Sequence, residues 1–154
     1  PVNQRGQTSY EGSGYNIEGL KILVAEDNAL NLEIVKVLLT EAGAEVTEAL
    51  NGEEAVDKFL SSKVGYFDGI LMDIMMPGLS GLEAAKLIRS SEREDGGRIP
   101  IIAMSANSLK EDKNASISAG INEHLNKPLD MDKVIEILYK YCKQEDYSKS
   151  AQKV

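Results

Sequence analysis

Five side chains that can bind a metal ion or react with phosphate follow separate apolar runs of the sequence. They are Glu26, Asp27, Asp73, Ser105 and Lys127. The carboxylates supply the hard oxygen ligands that Mg²⁺ prefers, with water completing its octahedron. A carboxylate can also attack phosphorus to give an aspartyl phosphate, while a metal ion and a lysine stabilise the charge on the group in transfer. The set therefore predicts Mg²⁺-dependent phosphoryl chemistry, provided that the fold brings these residues together.

Taken singly, each of these residue types has a more ordinary interpretation. An Asp before a Pro-Gly turn is commonly a turn former, and a Ser after a strand is commonly a cap. An acidic pair or a lysine is commonly a solvated surface group. In open α/β sheets, however, ligand sites lie at the carboxyl ends of the strands. Convergence of all five residues at the ends of four different strands therefore favours a functional site.

Strand-length apolar runs alternate with helical patterns throughout residues 17–142. The predicted strands are residues 20–25, 44–49, 69–72, 100–104 and 121–125. Side chains that can cap helix starts are Asn51 with Glu54, Ser80 with Glu83, Ser108 with Glu111, and Asp130. Such residues satisfy the first free N–H groups of a helix. The alternation predicts an α/β fold, with a parallel sheet covered by helices on both faces and joined by right-handed crossovers.

Apolar side chains at helical spacing predict which helix faces pack on the sheet. The stripes are Leu30, Ile34, Val37 and Leu38 in the first helix, Ala55, Val56, Phe59 and Leu60 in the second, Leu82, Leu87 and Ile88 in the third, and Val134, Ile135, Ile137 and Leu138 in the last. Met72, Met75 and Met76 are predicted to be packing residues. The fourth helix ends at Gly120 and is polar, which suits a mobile element.

Composition and charge exclude several classes of protein. The formal net charge of −8 disfavours direct contact with nucleic acid or with an anionic membrane surface. No run approaches the ~18 apolar residues of a membrane span. Cys142 is the only cysteine, which excludes an internal disulfide and favours a reducing, cytoplasmic compartment. Residues 1–16 and 143–154 are polar, and we expect a flexible leader or linker and a flexible tail on either side of one domain, residues 17–142.

Four segments resemble the signature segments of response-regulator receiver domains. They are LVAEDN at 23–28, LMDIMMPGLSGLE at 71–83, IIAMSAN at 101–107 and LNKPLD at 125–130. The resemblance covers the whole predicted domain and leaves out both polar ends. It implies a flavodoxin-like (βα)5 doubly wound fold with five parallel strands in the order 2-1-3-4-5. It also implies a phosphoacceptor domain that uses Mg²⁺, with Mn²⁺ as an alternative ion.

The resemblance also implies roles for the site residues. Asp73 matches the phosphorylated aspartate, Asp27 the direct metal ligand, and Glu26 a residue that holds the metal through water. Met75 matches the position whose backbone carbonyl binds the metal. Ser105 matches the Ser/Thr that moves towards the phosphoryl group. Lys127 matches the lysine that bridges to it, and the Lys-Pro bond of the family is commonly cis.

Two further positions concern the switch and the phosphoryl lifetime. His124 stands three residues before Lys127, where many relatives have the inward-turning Tyr or Phe, so the aromatic part of the usual switch is altered here. We expect His124 to be a partly exposed residue of an edge strand rather than a catalytic or metal-binding one. Met75 and Asn107 flank the path of an attacking water and are expected to tune how long the phosphoryl group persists.

The leader and the MSAN segment resemble the receiver of a hybrid sensor histidine kinase, whose parent protein can be membrane-anchored. The implied partner is a histidine kinase or a histidine phosphotransfer domain, and homodimerisation is left open. A stand-alone response regulator is the alternative. A haloacid-dehalogenase-like phosphohydrolase is disfavoured, because its second Asp is replaced by Met75. A dinucleotide or flavin module lacks its glycine motif, and the complete set of acids, hydroxyl and lysine argues against a vestigial interaction module.

Overall fold

The computed structural model describes residues 14–106 and 110–143, with the side chains of residues 110–113 outside that description. Five strands form one sheet: β1 (Lys21–Ala25), β2 (Glu45–Ala49), β3 (Gly69–Asp73), β4 (Ile101–Ser105) and β5 (Glu123–Asn126). Their order is β2-β1-β3-β4-β5, and each neighbouring pair is parallel. The predicted doubly wound fold and its strand order are therefore confirmed.

The strand register places the chemically capable residues at one edge of the sheet. Ala25, the last residue of β1, lies opposite Met72, and Asp73, the last residue of β3, lies opposite Met104. Ser105 ends β4 and lies opposite Asn126. Because all strands run the same way, their carboxyl ends form a single crevice at this edge.

Helices connect the strands and cover both faces of the sheet. They are α1 (Ala29–Glu41), α2 (Gly52–Ser61), α3 (Gly81–Ser90), α4 (Lys110–Ser118) and α5 (Met131–Leu138), which continues into a π-helical turn (Tyr139–Lys143). Asn51 and Asp130 cap α2 and α5, and Ser80 and Glu83 form a complete capping box at the start of α3, as predicted. Ser108 lies outside the described residues. None of the described helices is both long and apolar enough to cross a bilayer.

The buried face of α1 differs from the predicted stripe. Leu32, Val35 and Leu39 are buried against the sheet, whereas Leu30 and Ile34 are 69% and 47% exposed. Val37 is also exposed and Leu38 is half-buried. Seven of the thirteen α1 residues are large and apolar, so two apolar stripes exist, and the periodicity did not show which one meets the sheet. The prediction for this helix was wrong in its choice of face.

Other packing predictions were confirmed in part. All four predicted residues of α5 are buried, as are Ala55, Phe59 and Ile88, while Val56 and Leu82 pack at the margin of the core. Leu60 and Leu87 are exposed instead, because the helices α2 and α3 bury small residues such as Ala84 and Ala85 next to the sheet. Met72 and Met76 are buried, but Met75 is 73% exposed and does not pack.

Candidate phosphoryl-transfer site

Three carboxylates meet at the carboxyl edge of the sheet. Glu26 and Asp27 follow β1 directly, and Asp73 ends β3 beside them. One oxygen from each of the three lies within 4.8 Å of the others. Glu26 and Asp73 are buried, whereas Asp27 is exposed at the mouth of the crevice. This set of hard oxygen donors fits a divalent cation with water in its remaining positions.

Asp73 sits at the centre of the cluster and is only 3% exposed. Its Oδ1 accepts a hydrogen bond from the Met75 backbone N–H at 3.2 Å, and its Oδ2 faces the Lys127 Nζ at 3.2 Å. Burial, followed by the charge of Glu26, raises the pKa of Asp73 to about 6, and Lys127 offsets only part of that effect. The acid is therefore held in a site where added positive charge stabilises its ionised form.

Lys127 joins the two buried carboxylates. Its Nζ lies 2.9 Å from Glu26 Oε1 as well as 3.2 Å from Asp73 Oδ2. Burial lowers the pKa of Lys127, but its contacts with Glu26 and Asp73 outweigh burial and raise the pKa overall. The lysine is aimed by the turn after β5, where its N–H donates to the Ser105 carbonyl at 2.8 Å and the Lys127–Pro128 bond is cis. It stands within reach of any oxygen bound to Asp73.

The remaining predicted site residues occupy different surroundings. Ser105 is buried at the end of β4, one position beyond the partner of Asp73, and so lies at the same edge. The Met75 side chain projects into solvent, while its backbone N–H contacts Asp73. His124 is half-buried on the edge strand β5. It lines a cavity of about 190 Å³ together with residues of α4, and none of the three site carboxylates lines that cavity. Asn107 lies outside the described residues.

Close backbone approaches fix the loop between β3 and α3, and sequence reasoning missed them. A Cβ atom at Gly81 would lie 2.2 Å from the Asp73 carbonyl oxygen, and one at Gly52 would lie 2.3 Å from the Leu79 carbonyl oxygen. The loop therefore folds back on Asp73 and also rests on the start of α2. The signal for these contacts in the sequence is the glycine at the first position of α2 and of α3, since glycine lacks a Cβ and lets another backbone segment approach closely.

Comparison with known proteins assigns the family. Residues 22–139 match the response regulator receiver domain. The chain belongs to this family. This receiver is 40% identical over 144 residues to hybrid signal transduction histidine kinase I of Dictyostelium discoideum, and the match covers 92% of the chain but 8% of that protein. The receiver thus spans a small part of the length of the curated relatives that it matches.

Two solved structures resemble the receiver closely. The receiver domain of a sensor histidine kinase from Pseudomonas aeruginosa, with magnesium coordinated in its active-site cleft, is 35% identical with a TM-score of 0.73 and covers 80% of this chain and 98% of its own. The receiver domain in a Saccharomyces cerevisiae complex with a histidine phosphotransfer protein is 29% identical with a TM-score of 0.75 and covers 83% and 92%. Receivers of this family act as phosphoacceptors in two-component signal transduction, and this one resembles those of hybrid histidine kinases.

An apolar groove opens beside the acidic cluster of the receiver. It has a volume of about 500 Å³ and lies between α1 and the segment that joins β5 to α5. Its lining includes the apolar side chains of Ile34, Leu38 and Leu129 together with Glu26 and Lys127. The exposed stripe of α1 therefore continues directly into the site. The excess of apolar residues in α1 was the signal in the sequence, since one stripe alone cannot hold seven of them.

Proposed function

We propose that this receiver accepts a phosphoryl group from a phosphohistidine onto Asp73. A carboxylate oxygen of Asp73 forms the new O–P bond in line while the N–P bond of the phosphohistidine breaks. The imidazole nitrogen keeps the bonding electrons and takes up a proton. The observation that carries the proposal is the buried Asp73 carboxylate flanked by Glu26, Asp27 and the Lys127 ammonium.

Asp27, Asp73 and the backbone carbonyl of Met75 would hold Mg²⁺, and Glu26 would hold it through water. Mn²⁺ fits the same oxygen donors. The bound ion would neutralise the negative charge that gathers on the phosphoryl oxygens and the acceptor. Support comes from the spacing of the three carboxylates and from the pKa of Asp73, which burial and the charge of Glu26 raise and which a bound cation would lower.

Ser105 and Lys127 would engage the phosphoryl oxygens once the group is on Asp73. Lys127 already lies 3.2 Å from the acceptor oxygen, and Ser105 ends the neighbouring strand. Contacts made only in the phosphorylated state would shift the balance between two conformations of the α4–β5 surface, with His124 as the half-buried switch residue beneath it. Met75 and Asn107 would tune the lifetime of the phosphoryl group.

The partner would be a histidine kinase or a histidine phosphotransfer domain that docks on the exposed face of α1. Leu30, Ile34 and Val37 form an apolar stripe on that face, and Lys127 is one of the residues that line the groove next to it. A donor seated there would place its phosphohistidine at the mouth of the crevice. The solved yeast complex of a related receiver with a histidine phosphotransfer protein supports this class of partner.

We place the domain, residues 17–142 with polar segments 1–16 and 143–154 around it, in a hybrid sensor histidine kinase on the cytoplasmic side. The similarity to hybrid kinases of Dictyostelium discoideum supports this context. A stand-alone regulator would carry the same site.

Phosphorylation of the isolated domain tests the acceptor. Wild type and Asp73→Asn are incubated with acetyl phosphate, with and without Mg²⁺, and their intact masses are compared. A single Mg²⁺-dependent phosphoryl adduct on wild type and none on Asp73→Asn is the expected result. An adduct that persists in the variant would place the acceptor elsewhere. Continuous hydrolysis of an external phosphate ester would favour a phosphohydrolase instead.

The docking face is tested by a matched pair of variants. Ile34→Glu and Leu87→Glu each place a charge on a helix position that is 47% exposed in the wild type. Transfer from a phosphorylated histidine phosphotransfer domain should slow about tenfold or more in Ile34→Glu and stay at the wild-type rate in Leu87→Glu. Phosphorylation by acetyl phosphate should be equal in both. Equal rates from the protein donor would remove α1 as the docking face.

A further inference from the structure

A cationic pocket lies at the edge of the sheet opposite to the acidic cluster. It has a volume of about 540 Å³ and is bounded by the end of α3, the segment before β4 and the turn between α4 and β5. Lys86, Arg89 and Arg98 line it, and none of its nine described lining residues is acidic. The chain as a whole carries a net charge of −8. The charge of this concavity is therefore opposite in sign to the net charge of the molecule.

Arg89 forms the rigid floor of this pocket. Its Nε donates to the Gly120 carbonyl at 2.9 Å, its Nη1 to the Gly96 carbonyl at 3.1 Å and its Nη2 to Asn122 Oδ1 at 2.9 Å. The Asn122 Oδ1 also accepts from the Ile101 N–H at 2.8 Å, which ties the guanidinium to the start of β4. Three of its five N–H groups are thus used, and two remain for a ligand. The side chain is held in place before any ligand arrives, which lowers the entropic cost of binding.

The positive charges of Lys86 and Arg98 have little to contact among the described residues of the protein. Lys86 is exposed and makes no ion pair or hydrogen bond within the described part of the chain. Among the described residues, the Arg98 side chain reaches Glu94 alone, at 3.9 Å, and both side chains are more than half exposed. The C-terminal dipoles of α3 and α4 attract cations to this region. Arg89 already meets the end of α4, however. Within the described residues the charge of Lys86 therefore has no partner, and that of Arg98 has only the distant contact with Glu94.

The pocket also offers neutral donors of the kind that phosphate oxygens accept from. Ser90 and Ser118 contribute hydroxyl groups to its wall, although Ser90 Oγ also makes a long contact of 3.4 Å to the Leu87 carbonyl. At Gly97 the space above the backbone is open, since a Cβ atom there would meet nothing within 4 Å. A ligand can therefore approach the Gly97 backbone directly.

We propose that this pocket, built on Arg89 with Lys86 and Arg98 at its rim, binds a small phosphorylated molecule through its phosphate groups. The two N–H groups of Arg89 that are not used within the protein, one on Nη1 and one on Nη2, can donate to a phosphate, and the two flexible cations close on the remaining oxygens. The pocket is a shallow concavity that is open to solvent. The pocket lies at the amino ends of β4 and β5, so its ligand and a phosphoryl group on Asp73 can be bound at the same time.

Pyrophosphate is a suitable probe for the test. The wild-type domain is titrated with it by NMR in buffer freed of metals by a chelating resin, with ionic strength held constant by sodium chloride. Without a divalent ion, the carboxylates of Glu26, Asp27 and Asp73 repel the probe, so binding reports on the second site. We expect the NMR resonances of the Gly97 and Gly120 amides to shift and to reach saturation. The resonances of the amides next to Asp27 and Asp73 should not move.

Charge removal at the rim provides the decisive comparison. The double variant Lys86→Ala, Arg98→Ala should weaken pyrophosphate binding at least about tenfold, because each side chain contributes a charge-assisted hydrogen bond. The matched control Lys133→Ala, Lys140→Ala removes two exposed charges from the α5 region and should leave the affinity unchanged. Shifts that grow linearly without saturation, or equal affinity in both double variants, would overturn the proposal. An acidic peptide that binds in place of pyrophosphate would also overturn it.

Discussion

Replacement of Asp73 by Asn should stabilise the fold, although it removes the proposed acceptor. In the folded protein, burial and the charge of Glu26 raise the pKa of Asp73 from its usual 3.8 to about 6. Near neutral pH the ionised carboxylate is therefore less favourable in the folded chain than in the unfolded one. Asn is uncharged in both states and does not carry that cost.

The magnitude follows from the displaced pKa. The difference corresponds to about 3 kcal/mol between the charged and the neutral carboxyl group. The variant loses the contact with the Lys127 ammonium, and its amide cannot accept as many hydrogen bonds as a carboxylate. We therefore expect a gain of about 1–3 kcal/mol in the free energy of unfolding, or roughly 3–10 °C in Tm for a chain of this size.

The pH dependence gives the sign of the effect a separate test. Between the unfolded and folded pKa values the folded state binds more protons, so the contribution of Asp73 to stability is least favourable above about pH 6 and improves as the pH falls. The advantage of Asp73→Asn over wild type should thus shrink from about pH 7.5 to about pH 5 in metal-free urea unfolding. Asp57→Asn, at an exposed position of α2, should change stability by less than about 0.5 kcal/mol. A destabilised Asp73→Asn, or a gain independent of pH, would refute the reasoning.

Two further predictions concern packing beside Asp73 and the buried ion pair between Arg93 and Asp95. Gly81→Ala should lower the free energy of unfolding by about 2–4 kcal/mol, because its Cβ would collide with the Asp73 carbonyl at 2.2 Å, whereas Gly97→Ala meets open space and should be neutral in urea unfolding. Arg93→Ala should cost about 3 kcal/mol by the same assay, because it strands the buried Asp95, whose pKa is lowered by its hydrogen bonds to Arg93 despite burial. Arg93→Lys should recover only part of this loss, since lysine cannot replace the two-pronged contact; full recovery would contradict that explanation.

Much of the fold could be predicted from local signals in the sequence. The strands β1, β3 and β4 are short, largely apolar runs buried on both faces. β1 is followed at once by Glu26, and β3 and β4 end in Asp73 and Ser105. The starts of helices could be predicted because a capping box requires two residues that are three positions apart, such as Ser80 and Glu83. Once the strands were assigned, parallel order alone placed Glu26 and Asp73 at one edge.

What could not be predicted depends on contacts between distant segments. The buried side of α1 is decided by which stripe meets β1 and β2, and the helix sequence allows two. The bridge from Lys127 to Glu26 spans 101 positions of the chain. Arg93 belongs to the segment between α3 and β4, but its side chain donates hydrogen bonds to carbonyl groups at the end of α2, including that of Phe59. Such loop-borne contacts leave no periodic pattern in the sequence.

The central claim is that Asp73 carries the phosphoryl group, and chemical trapping tests it most directly. The domain is phosphorylated by acetyl phosphate with Mg²⁺, then reduced with borohydride, which converts an aspartyl phosphate to homoserine, and the digested peptides are sequenced by mass spectrometry. Homoserine at position 73, absent when Mg²⁺ is omitted, is the predicted result. Homoserine at position 27, or an unmodified Asp73 in protein that carries the phosphoryl mass, would contradict the account.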